Sequence, residues 1–291
     1  MYEIAADCFA ALADRSVSIG LKTGGPSIPF APLESHHVIS PELRYELIHV
    51  WGRLRGFRIV NVGLISKTET RNRPYQWADL QNWCISVYDQ LWAYGIASGG
   101  GVSPVEVLEI GCGQGVGLKR LAKANPDIRF IGVDLSRAAC IFARLSGADA
   151  RHGRSQKLPF GSESFDSVIS IESLFIFENA ETALAEIRRV LKIGGRLISA
   201  EFTLGALDDI RHDITVKAAA SGLRLVGMVD QTADARRSIV DGEPQRDLFH
   251  RKVPSYFRAG FREALSLKGT MRYETWVNGS RRYYFAVFEA V

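Results

Sequence analysis

From residue 105 to residue 230 the chain alternates short, apolar, β-branched runs with segments whose apolar residues recur at helical spacing. VEVLEI precedes GLKRLAKAN, IRFIGVD precedes SRAACIFARLSG, and ADARHG follows. FDSVISI then precedes NAETALAEIRRVLK, and GRLISAEF precedes a helix near 207–220 and a last run, LRLVGMVD. Helices with one apolar stripe, such as Leu184, Ile187, Val190 and Leu191, set between such runs predict an α/β chain with a doubly wound parallel sheet. Gly194-Gly195 should end that helix in a left-handed C-cap. Further on, residues 243–269 read as helical with a break at Pro254. TMRYETWV and RRYYFAVFEAV then read as two strands joined by an Asn278-Gly279 hairpin.

Upstream of residue 100 the pattern is helical. Helices are expected over 1–15, 41–55 and 75–95, the first two separated by the turn-rich KTGGPSIPFAPLESHH. The third carries Trp77, Trp83 and Trp92 and leads into the hinge-like SGGGVSP. The expected organisation is a helical cap or lid over 1–100 and an α/β domain over 101–291 with a helical insertion at about 243–266. A chain of 291 residues that is 46 % hydrophobic can bury one large core. No apolar stretch approaches the ~18 residues of a membrane helix. Glu3 and Asp7 stand where a signal peptide would carry bases. The four cysteines show no CxxC or CxxH spacing, so neither a disulfide framework nor a metal site is expected, and a cytoplasmic location fits. The bases of 41–73 (Arg44, Arg53, Arg55, Arg58, Lys67, Arg71, Arg73) read as a solvated face or as an anion-attracting rim.

Between the first strand and its helix lies VLEIGCGQGVGLKRL, with Gly111, Gly113, Gly115 and Gly117 at alternate positions. In an open parallel sheet, ligands bind at the carboxyl ends of the strands. A glycine-rich turn there lets a ligand approach the backbone and a helix N-terminus. The dinucleotide fingerprint GxGxxG is out of register, because the sixth position from Gly111 is Val116. The next strand ends in Asp134, an acid suited to two hydrogen bonds from a ribose diol. A ligand-free turn and a nicotinamide site are the alternatives.

Taken in order, VLEIGCGQG, GVDLS, LPFGSESFDSVIS and EIRRVLKIGGRLI resemble the motif set of class I S-adenosylmethionine-dependent methyltransferases. The likeness is to the small-molecule branch that acts on quinones, sterols and natural products. NVGLI at 61–65 and the terminal Tyr-Phe-Ala-Val extend it. The resemblance implies a doubly wound, Rossmann-like, seven-stranded sheet with strands 6 and 7 as an antiparallel edge, under an N-terminal helical lid. It implies S-adenosyl-L-methionine as cofactor, with Glu109, Gly111, Cys112, Gly113 and Gly115 along the methionyl part and the Cys112 amide exposed to it. Asp134 would take the ribose hydroxyls and Leu135 the adenine, with Ile171 at the cofactor's edge. The family often has an acid before LPF; Arg154 stands there, so Ser155 and Gln156 are the nearest replacements. Asp166 reads as a structural acid leading strand four.

Chemistry is expected after strand four, in SIESLFIFEN (170–179). Many relatives carry a histidine there for deprotonating a hydroxyl; this chain has Ile176 between Phe175 and Phe177. Glu172 is the remaining ionisable group, either pairing with the cofactor's ammonium or acting as a base, and the resemblance favours the first. His212 and His250 are the histidines best placed to reach the cleft. Trp77, Phe175, Phe177, Phe249 and Tyr256 are candidates for the acceptor pocket. Three functions compete. The leading one is methyl transfer to a small, largely apolar acceptor. A second consumes the cofactor itself, by cyclisation or another alkyl transfer. The third is nucleic-acid methylation or non-catalytic binding, disfavoured by the missing Pro-Pro-Tyr motif and the modest charge of +4. A homodimer stays open.

Overall fold

The computed structural model describes residues 41–56, 58–59, 61–65, 69, 74–98, 104–174, 180–253 and 255–291. The helix expected over 1–15 lies outside them. Helices α1 (Pro41–Leu54) and α2 (Trp77–Ala97) precede the sheet. There follow β1 (Glu106–Ile110), α3 (Val116–Ala124), β2 (Arg129–Asp134), α4 (Arg137–Leu145), β3 (Ala150–His152) and β4 (Phe165–Ile171). Next come α5 (Ala180–Val190), β5 (Leu191–Leu204), α6 (Leu207–Ala220) and β6 (Leu223–Asp230). The chain ends with α7 (Thr232–Asp241), α8 (Glu243–His250), α9 (Ser255–Ala264), α10 (Met271–Val277) and β7 (Arg281–Ala290).

The seven strands form one sheet in the order β3-β2-β1-β4-β5-β7-β6. Strands β1 to β5 pair in parallel, while β7 runs antiparallel between β5 and β6. The winding direction reverses between β1 and β4, which opens a crevice at their carboxyl ends. Both faces are covered, so the central strands are apolar on both sides. One face packs Ile169, Ile198 and Phe285 against residues of α2, α3, α7 and α10. The other packs Val168, Leu197 and Ala286 against Ile187 and Val190 of α5 and Ile210 of α6.

Three sequence expectations change. TMRYETWV is a helix, not a strand: the Thr270 hydroxyl caps it by accepting from the Tyr273 amide, and Tyr273 and Trp276, one turn apart, are both buried. Asn278 is its C-cap, so Asn278-Gly279 ends a helix instead of turning a hairpin, and β7 pairs with β5 and β6. The insertion also begins earlier, with α7, and Pro254 lies outside the described residues. Helix α5 stops at Val190, and the left-handed residue is Gly194, four positions later (φ 73°). Asp166 behaves as a structural acid. It accepts from the Val105 and Glu106 amides and from Lys192 Nζ, pinning the start of β1 to β4.

Gly117 decides how close α2 comes to the first strand–helix turn. A Cβ there would lie 1.9 Å from the Tyr88 ring. That close approach lets the Tyr88 hydroxyl donate to Glu109 Oε1 at 2.7 Å, inside the core. Gly117→Ala is therefore expected to push Tyr88 off Glu109 and to cost about 1–3 kcal/mol by overpacking. A denaturant melt showing unchanged stability would mean that α2 does not depend on this contact.

Candidate active site

The turn after β1 has left-handed backbone at Gly111, Gly113 and Gly115. Its amides are largely satisfied within the protein. Gly111 and Cys112 donate to the Val133 carbonyl, and Gly115 donates to the Cys112 carbonyl. The Cys112 amide is thus not exposed, and its buried thiol packs over Gly132. Gly113 donates to Asp134 Oδ2 at 2.8 Å, while the Ser136 amide donates to Asp134 Oδ1 at 2.8 Å. One carboxylate therefore ties the glycine turn to the N-terminus of α4. Among the described residues, a Cβ on Gly113 would meet only His49 Cε1, at 3.5 Å, so the turn faces open space with respect to them.

Helix α1 closes over this turn. The Ser136 hydroxyl and the Ala138 amide donate to Glu46 Oε2, at 2.7 and 2.8 Å, and the Arg137 amide donates to Oε1 at 2.7 Å. An anion at the first turn of a helix satisfies orphan amides and the helix dipole together. Gln114 Nε2 donates to the His49 carbonyl at 3.3 Å. The His49 imidazole is held below its usual pKa by burial, against the pull of Asp134 and Glu46.

Three carboxyl groups sit at the carboxyl ends of the central strands. Glu109 on β1 is buried; Oε1 accepts from Tyr88, and Oε2 has no hydrogen-bond partner among the described residues. Glu172 follows β4 with a left-handed backbone (φ 51°), a conformation that costs a non-glycine residue about 1–3 kcal/mol and is characteristic of functional sites. Its Oε1 accepts from the Val62 amide at 2.7 Å and the Tyr283 hydroxyl at 3.0 Å. Its Oε2 makes no hydrogen bond among the described residues. Glu201 on β5 is buried; Oε1 accepts from the Leu174 amide and Ser170 hydroxyl, and Oε2 has no hydrogen-bond partner among the described residues.

The segment 61–65 straps across Glu172. Asn61 Nδ2 donates to the Cys84 carbonyl at 3.0 Å, and the Ser238 hydroxyl donates to the Val62 carbonyl at 2.7 Å. The Leu64 amide reaches the Trp83 carbonyl at 3.1 Å. The strap thereby joins α2, α7 and the end of β4.

Of the residues singled out from sequence, Glu109, Gly111, Gly113, Gly115 and Asp134 come together at the end of β1 and β2. Leu135 adjoins them, half-buried. Ser155 is buried and Gln156 partly so, in the turn closed by the Lys157 amide on the Arg154 carbonyl; this turn is held beside Asp134 by the Gly153 amide. Ile171 is buried at the end of β4. His212 is exposed on α6, and His250 is buried with Nε2 2.8 Å from the Arg258 carbonyl, so neither is brought to the group. Trp77 and Phe249 stack on each other, centroids 4.8 Å apart, with Trp51 edge-on to Phe249 at 4.8 Å. They form a small core between α1, α2 and α8. Phe175 and Phe177 lie outside the described residues, as does the Tyr256 side chain, although Tyr256 itself is on α9. The sequence reading missed Glu46, His49, Glu201 and Tyr283. Only for Tyr283 was there a signal, its place directly before the terminal Tyr-Phe-Ala-Val string.

Residues 108–199 match the family described as "Methyltransferase domain". The chain is 31 % identical over 175 residues to the phthiotriol/phenolphthiotriol dimycocerosates methyltransferase of Mycobacterium tuberculosis, covering 57 % of this chain and 62 % of that one. It is 33 % identical over 121 residues to a fatty-acid O-methyltransferase of Mycolicibacterium smegmatis, covering 38 % and 44 %. The matched region thus spans about three fifths or less of these relatives' lengths. In fold, the chain resembles the [4+2]-cyclase SpnF (TM-score 0.69, 19 % identity, 86 % of this chain and 94 % of that one). It also resembles a geranyl diphosphate methyltransferase (TM-score 0.60, 18 % identity, 85 % and 94 %).

Burial raises the three carboxyl groups above the ordinary glutamate range, Glu109 and Glu172 to about 7 and Glu201 to about 8. For Glu109 the Tyr88 hydrogen bond opposes burial; for Glu172 the Val62 and Tyr283 bonds do. For Glu201 the neighbouring Glu172 charge adds to it. Folding favours the protonated form of each. Their stabilisation is complete below an unfolded pKa of about 4.5 and disappears as pH rises through about 7 to 8. Glu201→Gln keeps the acceptor and cannot ionise. Its melting temperature relative to wild type is expected to rise by roughly 4 °C or more between about pH 5 and pH 8. Parallel curves would show that Glu201 does not titrate in this window.

Proposed function

We propose that this chain is a class I S-adenosylmethionine-dependent methyltransferase and that it methylates a small, largely apolar metabolite. The observation that carries the reading is the cradle at the end of β1. Among the described residues, Gly113 faces open space, and a buried carboxylate oxygen, Glu109 Oε2, lacks a donor. An ammonium group supplies such a donor, so the cradle fits a cationic amino-acid moiety. In this reading Glu109 and the glycine turn hold the methionyl part, Asp134 the ribose hydroxyls, and Leu135, Ser155 and Gln156 the adenine.

When bound, S-adenosylmethionine supplies an electrophilic methyl carbon on a sulfonium, with a neutral thioether as leaving group. The chain's own residues then have to align an acceptor, exclude water and receive a proton. Alignment is the larger task, since fixing two reactants in line replaces a bimolecular encounter. The strap 61–65 and α1 serve as the lid. Glu172 is the proton acceptor: Val62 and Tyr283 fix Oε1, leaving Oε2 for an acceptor hydroxyl. A pKa of about 7 matches a base working near neutrality. This assignment replaces the ammonium-binding role favoured for Glu172 from the resemblance, because Glu109 provides the unpaired oxygen at the cradle.

Two variants separate the roles. Glu172→Gln should lower turnover at saturating cofactor about 100-fold or more while leaving cofactor affinity unchanged by calorimetry. A loss of affinity with intact turnover would return Glu172 to the cofactor. Asp134→Ala removes the acceptor for the Gly113 and Ser136 amides and should weaken S-adenosylmethionine binding at least about tenfold, with the fold retained. Undiminished binding would reject the cradle. Mass spectrometry of the chain incubated with cofactor alone distinguishes methyl transfer from consumption of the cofactor itself.

A further inference from the structure

Arg281 opens β7, paired with Leu204 at the carboxyl end of β5, and shares a sheet face with Tyr283. Its side chain is buried, with 5 % of the residue exposed. Nε donates to the Thr275 hydroxyl at 3.0 Å; among the described residues its terminal nitrogens have neither a hydrogen-bond acceptor nor an ion-pair partner. A second guanidinium stands beside it. Arg272 and Arg281 each lie 5.3 Å from the Phe202 centroid, and Arg281 lies 5.9 Å from that of Trp276. Glu263 is an acid near Arg281, and its Oε1 accepts from the Arg272 amide.

A guanidinium withdrawn from water and placed next to a like charge is costly unless an anion joins it. Contact with aromatic faces offsets only part of that cost. Burial and the Arg272 charge lower Arg281 to about 10, an indication that the charge is under-compensated. The pair also sits where an acceptor has to lie. The Arg272 charge reaches Glu172, and Arg281 is two residues along β7 from Tyr283, which donates to Glu172. Two strand residues span roughly 7 Å.

We propose that Arg281, with Arg272 beside it, binds an anionic group of the acceptor, a carboxylate or a phosphate, on the same side of the crevice as Glu172 and Tyr283. The planar fork of arginine suits both anions, and each would supply the missing partner. The acceptor is then an amphiphile: an apolar body, an acidic head at Arg281 and a nucleophile at Glu172. This inference rests on the methyltransferase reading for the position of the reacting atom.

Calorimetry on the protein saturated with S-adenosylhomocysteine, using decanoate, decyl phosphate and neutral decanol as probes, tests it. At least one anion is expected to bind about tenfold or more tightly than decanol, and the preferred anion identifies the head group. Arg281→Gln should bring that anion to the level of decanol while S-adenosylhomocysteine affinity stays unchanged. Should this variant fail to fold, the wild-type protein still decides: affinity for the preferred anion should fall about tenfold between low and half-molar salt. Equal binding of all three probes, binding of none, salt-independent affinity, or a folded Arg281→Gln protein that retains the anion would overturn the proposal. Failure of the wild-type protein to bind S-adenosylhomocysteine would instead strike at the cofactor reading.

Discussion

The site depends first on the Asp134 carboxylate. It ends β2, and its two oxygens accept from Gly113 and Ser136, so one side chain sets both the glycine turn and the entry to α4. Backbone amides buried without acceptors cost about 1–3 kcal/mol each, which makes this tie hard to replace. Because Asp134 takes the Ser136 amide, the following donors, Arg137 and Ala138, are left for Glu46. The docking of α1 is therefore a consequence of how β2 ends. A helix distant in sequence is seated by the amides that the sheet leaves open.

The same division of labour recurs at the other half of the crevice. The sheet supplies Glu172 and Tyr283, but the position of Glu172 Oε1 is completed by a backbone amide from the strap, 110 residues earlier. The strap in turn is held by α2 and α7. The segment 61–65, held by α2, and helix α7 after β6 thus meet beside one carboxylate. Parallel strands provide the floor, and irregular segments at either end of the chain provide the walls, as expected where loops on a rigid scaffold carry function.

Much of this was legible from sequence for identifiable reasons. The sheet announced itself because buried parallel strands are short apolar runs and their helices carry a single stripe. The glycine turn and Asp134 were visible because backbone geometry restricts which residues fit. TMRYETWV was misread because Tyr, Thr, Trp and Val favour strands, whereas Thr270 as a cap and the burial of Tyr273 with Trp276 favour a helix. Local preference yielded to tertiary packing. Glu46, His49 and Glu201 were invisible because their roles come from partners 27 to 92 residues away, and nothing in their local strings marks those partners. Phe249 and Trp77 read from sequence as candidates for the acceptor pocket, whereas the structure stacks them on each other in a core between helices.

The three raised carboxyl groups make folding of this chain a proton-binding reaction. At about pH 6, unfolded glutamates are almost fully ionised, whereas Glu109, Glu172 and Glu201 in the folded protein are largely protonated. His49, kept neutral, releases part of a proton in the opposite sense. Three carboxyl groups outweigh the imidazole, so the balance is an uptake of protons on folding. Those protons come from the buffer, so the apparent enthalpy of unfolding carries the buffer's ionisation heat. Calorimetric traces in phosphate and in an amine buffer at one pH will therefore differ in enthalpy even when their midpoints coincide.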